Sequence, residues 1–435
     1  MPRFAPGVRG TRGRSHGQSQ TTALQVAHSE GSHASQPRPG HARRVSAVSR
    51  AETVPSGLSV LWVLPGSASP TGQGSLGPRI HSRQSSAVTS SQPGQIRVRR
   101  PRIAVDATGG DFAPRNIVDG ALVAARHLDL GVILVGASEL LRDELRRHDD
   151  AARLDVTVVD APDTIGMHES PAAALRRKPR AAVRVAAGIV AKGEAVALFS
   201  AGNTGATMLA AHRAFGRLRG VDRPALATTI PTAGCGAVLL DSGANVECRA
   251  QHLLQFAAMG TAYARVVLGV REPKVGLLSI GEEETKGNEL TREAHQLLRA
   301  SRLRFIGNVE ARDLYRGQAE VIVCDGFTGN IALKVSEGLV EVVEGFLRDE
   351  LNRTFSTRVG YLLSRRAFRR FRRRVDYSEV GGAPLLGLSG LCIVGHGRSS
   401  VKAVRNAVAM AHRFATGEML ARVARELSTA TVMHA

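Results

Sequence analysis

From Arg102 onward, short apolar runs alternate with longer stretches whose apolar positions recur every three to four residues. The runs at 103–106, 131–135, 154–159, 195–199, 225–230, 237–241, 274–280, 303–306, 320–325 and 391–394 read as strands. They are apolar at consecutive rather than alternate positions, as strands covered on both faces are. Between them, 115–127, 203–217, 249–268, 288–300 and 399–426 carry helical spacing. The pattern predicts an α/β fold of three layers, a mostly parallel sheet between helices, and shows no internal repeat.

The segment 327–374 breaks this alternation. It is helical in character throughout, and Ile331, Leu333, Val335, Leu339, Val342, Val343 and Phe346 form a wide apolar stripe. The stretch "RVGYLLSRRAFRRFRRR" (358–374) then turns basic, with seven arginines within 365–374 interrupted by Phe368 and Phe371. A helical hairpin projecting from the α/β body is expected. Its apolar surface calls for a partner, and a second copy of the chain is the simplest one. The basic face, with Tyr361, Leu362 and Leu363 at a possible tip and Arg365, Arg366, Arg369 and Arg370 behind them, admits three readings: a solvated surface, a contact for an acidic protein, or a contact for an anionic membrane leaflet.

Charge divides the chain unevenly. Residues 1–100 hold thirteen Arg, no Lys and two acids, Glu30 and Glu52, so they carry over half of the net charge of +20. Rich in Ser, Gly, Gln and Pro and without periodicity, they read as a disordered extension. A translation start placed too early, a regulatory or nucleic-acid-binding arm and a transit peptide each fit that composition. A nucleic-acid role inferred from the pI of 11.1 alone is therefore not supported for 101–435, which forms the folded domain. The four cysteines, Cys235, Cys248, Cys324 and Cys392, form no CxxC pair and read as free thiols in a reducing compartment. No apolar run has the length of a membrane span.

Candidate chemistry collects where strands end. "RIAVDATGGDFAP" (102–114) places Asp106, Gly109, Gly110 and Asp111 after the first run. The device recurs in "FSAGNTGA" (199–206), "LLDSGANV" (239–246), "SIGEEETKGN" (279–288), "IGNVEARD" (306–313) and "CDGFTGN" (324–330). In open α/β sheets the carboxyl edge binds ligands, glycines admit close backbone approach, and helix N-termini favour anions. Ordinary capped turns use the same residues. Six such loops together point instead to one cleft. No GxxxxGK[ST], no GxGxxG after the first strand, no GxSxG and no HExxH is present, which argues against P-loop, Rossmann, serine-hydrolase and zincin chemistry. Lys286 stands beside Asn288 in a loop otherwise acidic (Glu282, Glu283, Glu284), a position suited to a phosphate or a polarised oxygen. His396, between Gly395 and Gly397, follows a strand and is either a turn histidine or part of the site.

Eight motifs in this order, "IAVDATGGDFAP", "SAGNTGA", "GVDRPALA", "LLDSGANV", "KGNEL", "FIGNVEARD", "DGFTGN" and "YSEVGGAPLLGL", resemble the PlsX-type phosphate acyltransferases of bacterial phospholipid synthesis over about 102–425. The resemblance implies a fold similar to the isocitrate/isopropylmalate dehydrogenase and phosphotransacetylase group. It implies transfer of a fatty acyl group from acyl–acyl carrier protein to inorganic phosphate, giving acyl-phosphate that a glycerol-3-phosphate acyltransferase partner uses for phosphatidic acid. It also implies a cytoplasmic homodimer held peripherally at the membrane by its helical projection, with no metal and no nicotinamide cofactor.

Carried onto matching positions, the resemblance gives Lys286 and Asn330 direct roles on the phosphate or thioester oxygen, and matches His396 to the family's "HG". Asp106, Gly109, Gly110, Asp111, Asn203, Thr204, Gly205, Asp241, Asn245, Asn288, Asn308, Glu310, Asp325 and Thr328 would line the cleft. One departure stands out: Phe112 occupies the position after "GGD" where the family usually has His. Either that histidine is dispensable here, or the enzyme is impaired, or His396 or another polar group replaces it. Phosphate is already an anion at neutral pH, so the reaction needs positioning and oxyanion stabilisation rather than a strong base. The rivals are a phosphotransacetylase-like enzyme using acyl-CoA, a metal- and NAD-dependent hydroxyacid dehydrogenase, and a basic nucleic-acid-binding protein.

Overall fold

The structure, a computed structural model, describes residues 100–375 and 381–430. The extension expected over 1–100 lies outside the described residues, Arg100 excepted. Seven strands form one sheet in the order β3 (Val156–Asp160), β2 (Gly131–Gly136), β1 (Arg102–Asp106), β4 (Ala197–Ser200), β12 (Leu391–Val394), β11 (Ala383–Leu386) and β5 (Ala225–Leu226). The first five run parallel, with Ile103 of β1 opposite Val132 on one side and Ala197 on the other. β11 is antiparallel to both its neighbours. A second sheet has the order β6 (Thr228–Ile230), β7 (Ala237–Leu240), β10 (Val321–Val323), β8 (Val275–Ser279) and β9 (Phe305–Glu310), parallel except for β6.

Strand side chains alternate between faces, and the cores follow that period. Ile103 and Val105 of β1 face α1 (Arg115–His127) and α10 (Val401–Thr416), meeting Ile117, Val118, Val404 and Val408. Ala104 and Leu198 point the other way, onto Ala182 and Ala186 of α4 (Ala182–Ala191) and Ala206 and Ala210 of α5 (Thr204–Phe215). The first cluster continues under the second sheet, where α6 (Ala250–Val267) packs Phe256, Met259 and Tyr263 among Val238, Leu240, Val275, Leu277, Val321 and Val323. Apolar nearly all round, α6 buries fourteen of its eighteen residues. The opposite face of the second sheet, built on Leu239, Leu278 and Ile322, has a much thinner cover, including Ala332 and Leu333 of α8 (Gly326–Arg353).

The α/β architecture expected from the pattern is present, with its parallel strands divided between two sheets. The hairpin of 327–374 is α8 followed by α9 (Phe355–Val375), joined at Thr354. Tyr361, Leu362 and Leu363 lie about two turns along α9 from that joint rather than at the tip. The spacing at 399–426 is interrupted at Gly417 and Glu418, the latter at φ 54°, so α10 ends and α11 (Met419–Ala430) begins anew. Helices α2 (Ser138–Leu145), α3 (Pro171–Arg177) and α4 lie outside the stretches with helical spacing; α4, "AVRVAAGIVA", has too few polar positions to show an amphipathic face.

Candidate active site

The strand-end loops gather into two groups. At the carboxyl edge of the seven-stranded sheet, Asp106 is 4% exposed and accepts from Ser200 Oγ at 2.7 Å, while Oδ1 accepts from Thr108 N at 3.3 Å. Burial raises its pKa, more than these hydrogen bonds lower it. Gly109 lies so close that a Cβ there would stand 2.6 Å from Asp106 Oδ2 and 2.8 Å from Gly202 N. Gly110, at φ 107°, brings the chain round so that Asp111 N donates to Gly397 O at 2.7 Å. The first loop and the "VGHG" loop are thereby joined, and exposed His396 accepts from Arg398 N on Nδ1 at 3.2 Å. Asn203 caps α5 by accepting from Ala206 N, and its amide donates to Gly166, Met167 and Glu169 carbonyls. Thr204 and Gly205 form the first turn of that helix, with Gly205 against Pro171. Phe112, half exposed, lies on the rim of this group.

The second group sits at the carboxyl edge of the five-stranded sheet. Asp241 is fully buried and its carboxylate collects five donors: Oδ1 takes the N–H groups of Leu226, Gly243 and Ala244, and Oδ2 those of Asn245 and its side-chain amide. Asn245 also donates to Pro224 O at 2.8 Å, and its own carbonyl accepts from Gly326 N at 2.7 Å. Asp325 caps α8, receiving Thr328 N and Thr328 Oγ1, each at 2.8 Å. Exposed Asn330 lies over Gly243, so the turn after β7 and the start of α8 adjoin.

Two further residues organise the loop that carries Lys286. Asn308 donates to Glu283 O at 2.9 Å and accepts on Oδ1 from His295 Nδ1 at 3.0 Å, a bond that sets the tautomer of that buried ring. Asn288 caps α7 (Glu289–Ala300) through Thr291 N. Glu310 pairs with Arg312 at 2.8 Å; Arg312 also approaches Glu282 at 3.9 Å, and Arg299 binds Glu284 at 2.8 Å. The acids around Lys286 are thus largely engaged by arginines. The Lys286 ammonium is exposed and forms no ion pair among the described residues. Lys286 stands just ahead of the α7 N-terminus, and a cation beside helix N–H groups is an arrangement for an anion.

A cavity of about 1020 Å³ opens here, lined at one end by Ser279, Gly287, Asn288, Asp325 and Thr328. Its other walls are mostly apolar, with Thr291, Arg312 and Ser336 among them. Cys324 and Cys248 lie close by, and burial pushes the Cys248 thiol up to about 12 and that of Cys324 well above its usual value. Neither is a thiolate at neutral pH, so a cysteinyl acyl-enzyme has no support. Among the described residues no cluster of His, Cys, Asp and Glu can hold a metal ion, and no helix is long and apolar enough to cross a membrane.

Sequence reasoning singled out the glycines and carboxylates but passed over Ser200, Ser279 and His295. Ser200 and Ser279 end their strands inside loops already quoted. His295 occupies an inward position of an amphipathic helix, where nothing marks it apart from core. Several candidate cleft residues, among them Asn203, Asp241, Asn245 and Asn308, direct their polar atoms into the protein as caps and ties that shape the loops. Lys286 and Asn330 remain exposed and available.

A family model described as "Fatty acid synthesis protein" matches residues 101–422. The chain is 50% identical over 327 residues to a phosphate acyltransferase of Geobacter sp. (strain M21), covering 75% of this chain and 93% of the relative. It is 48% identical over 333 residues to that of Acidobacterium capsulatum, covering 77% and 99%. A solved phosphotransacetylase from Streptococcus pyogenes aligns with a TM-score of 0.50 at 17% identity, covering 74% of this chain and 95% of that one, a likeness of fold. With its loop motifs, its two-sheet architecture and half of its aligned residues shared with such relatives, the chain belongs to the phosphate acyltransferase family and is an acyltransferase that uses phosphate.

Proposed function

We propose that the acyl donor is a fatty acyl–acyl carrier protein and that the acyl-phosphate formed supplies phosphatidic acid synthesis through a glycerol-3-phosphate acyltransferase. The observation that carries this reading is Lys286, without an ion pair among the described residues, just ahead of Asn288, the α7 cap that lines a largely apolar cavity together with Asp325 and Thr328 at the start of α8. A phosphate oxygen attacks the thioester carbonyl carbon, forming the C–O bond. The carbonyl electrons move onto oxygen, then return as the C–S bond breaks, and the carrier leaves as thiolate and takes a proton from water. Lys286 lowers the repulsion between phosphate and the developing oxyanion, and the Asn330 amide donates a hydrogen bond to the same oxygen. No protein nucleophile is required.

The exposed arginines Arg365, Arg366, Arg369 and Arg370 suit an acidic carrier protein by charge, and exposed Leu362 and Leu363 suit the surface of an anionic leaflet. A cytoplasmic homodimer with peripheral membrane contact through this hairpin completes the reading. The deciding experiment measures thiol release by the full chain from a long-chain acyl–acyl carrier protein, with and without phosphate, trapping acyl-phosphate with hydroxylamine. Phosphate-dependent release with a trapped product supports the proposal. Release from acyl-CoA alone assigns the phosphotransacetylase reaction instead. Reversing the four arginines should weaken carrier or vesicle co-sedimentation; unchanged binding to both leaves the hairpin a solvated face.

A further inference from the structure

The cavity beside α8 has a chemistry that changes along its length. At one end lie the polar groups of the candidate site. There Ser279 Oγ, buried at the end of β8, has no hydrogen-bond partner among the described residues. Gly287, at φ 99°, keeps its neighbourhood open, since a Cβ at that position would stand 2.9 Å from the same oxygen. Away from this end most of the lining is hydrocarbon, from Ile331, Val335 and Leu339 of α8, Leu278 of β8, Leu253 of α6 and Leu314 with Tyr315, the polar exceptions being Thr291, Arg312 and Ser336. Val335 and Leu339 are 65% and 62% exposed although they face a concavity, which marks the groove as apolar surface awaiting an occupant.

From Thr328 to Leu339 the helix rises about 16 Å. That is the span of an extended hydrocarbon chain on the order of a dozen carbon–carbon bonds. A pocket with a few convergent polar groups at one end and apolar walls beyond fits a linear ligand with one polar terminus. The thinly covered face of the five-stranded sheet supplies the base.

Resting on the phosphate acyltransferase reading, we propose that this groove holds the hydrocarbon chain of the acyl donor, with the thioester toward Ser279, Asn288 and Thr328 and with Ile331, Val335 and Leu339 setting the chain length accepted. Each methylene that enters improves binding by up to about fourfold, so the far wall discriminates among donors.

The test compares hexanoyl, decanoyl and palmitoyl thioesters of acyl carrier protein, reading phosphate-dependent hydroxamate formation by the full-length enzyme and its variants. Leu339→Trp, which fills the far end, should lower kcat/KM for the palmitoyl donor by about tenfold or more while hexanoyl turnover stays within about twofold. Ile331→Trp, nearer the head, should also penalise the decanoyl donor. Leu339→Ala, which adds no bulk, should weaken only the palmitoyl donor and serves should a tryptophan variant fold poorly. Uniform loss across all chain lengths, or no loss at all, overturns the groove assignment. So does a change of sedimentation state with an unaltered chain-length profile, which would put a second copy of the chain on this face. If the parent enzyme cleaves no thioester in a phosphate-dependent way, the acyl-transfer reading itself falls, an outcome distinct from a groove that fails while phosphate-dependent turnover persists.

Discussion

Asp241 accepts the backbone N–H of Leu226 at 3.0 Å, and Leu226 O accepts in return from Ser242 N at 2.9 Å. Leu226 belongs to β5 of the seven-stranded sheet and Asp241 follows β7 of the five-stranded one, so a single buried carboxylate ties the two sheets together at the candidate site. Replacing it with alanine leaves five buried or half-buried N–H groups without their acceptor. Asp241→Ala should therefore destabilise the fold by more than about 3 kcal/mol, read from the urea midpoint, with activity lost in parallel. A loss below about 1 kcal/mol would show that water replaces the carboxylate.

Two glycines of α8 should respond in opposite directions. A Cβ on Gly329 would fall onto the carbonyl oxygen of Asp241, a backbone atom that cannot step aside, whereas one on Gly338 meets nothing within 4 Å. Gly329→Ala should cost about 2 kcal/mol or more and impair catalysis through the displaced turn. Gly338→Ala should stabilise by up to about 1 kcal/mol through helix propensity. Thermal melts of both variants check the pair.

Lys286→Ala should lower kcat/KM for phosphate by about a hundredfold, the scale expected on removing one charged stabilising group. Lys286→Arg should recover part of the loss, since the loop is open and the charge is kept. Initial rates against phosphate concentration separate the two variants; equal activity of alanine and lysine would remove this residue from the reaction.

The pH dependence of stability should carry the mark of Asp106. Burial raises its pKa above the ordinary 3.8, so its favourable contribution is complete when it is protonated and is lost as pH rises through the folded-state value. Asparagine keeps the shape, can donate to Ser200 Oγ and can accept from Thr108 N, but does not ionise. The stability of Asp106→Asn relative to the parent should therefore grow with pH, at most by about 1.4 kcal/mol per pH unit within that window. Denaturant titrations from pH 4 to pH 8 give the slope, and a constant difference would show that the carboxylate is not strained by burial.

Much of this was readable in the chain. Apolar runs marked ten strand positions, and α1 agreed end for end at 115–127, because strand and helix periods are local properties. β11 escaped because Pro384 and its glycine-rich approach read as loop, and its partners come from β12 and from distant β5. The division into two sheets was invisible, since an apolar run does not say which neighbours it pairs with. At the site, "KGN" and "DGFTGN" announced Lys286 and Asn330. Whether Asp241 or Asn245 faces ligand or backbone could not be read, because a cap and a ligand-binding residue are chemically the same choice. The groove was hidden for another reason. Its walls come from Leu253, Ile280, Tyr315 and Val335, which only the fold assembles.

The apolar cluster that runs from Ile103 and Val105 through Phe256 and Tyr263 to Val321 passes without a break beneath both sheets. A cluster shared in this way, whatever the separate cores on the outer faces, resists a swing of one sheet against the other. The sheets should melt in one cooperative transition, and substrates should enter chiefly by movement of strand-end loops and side chains.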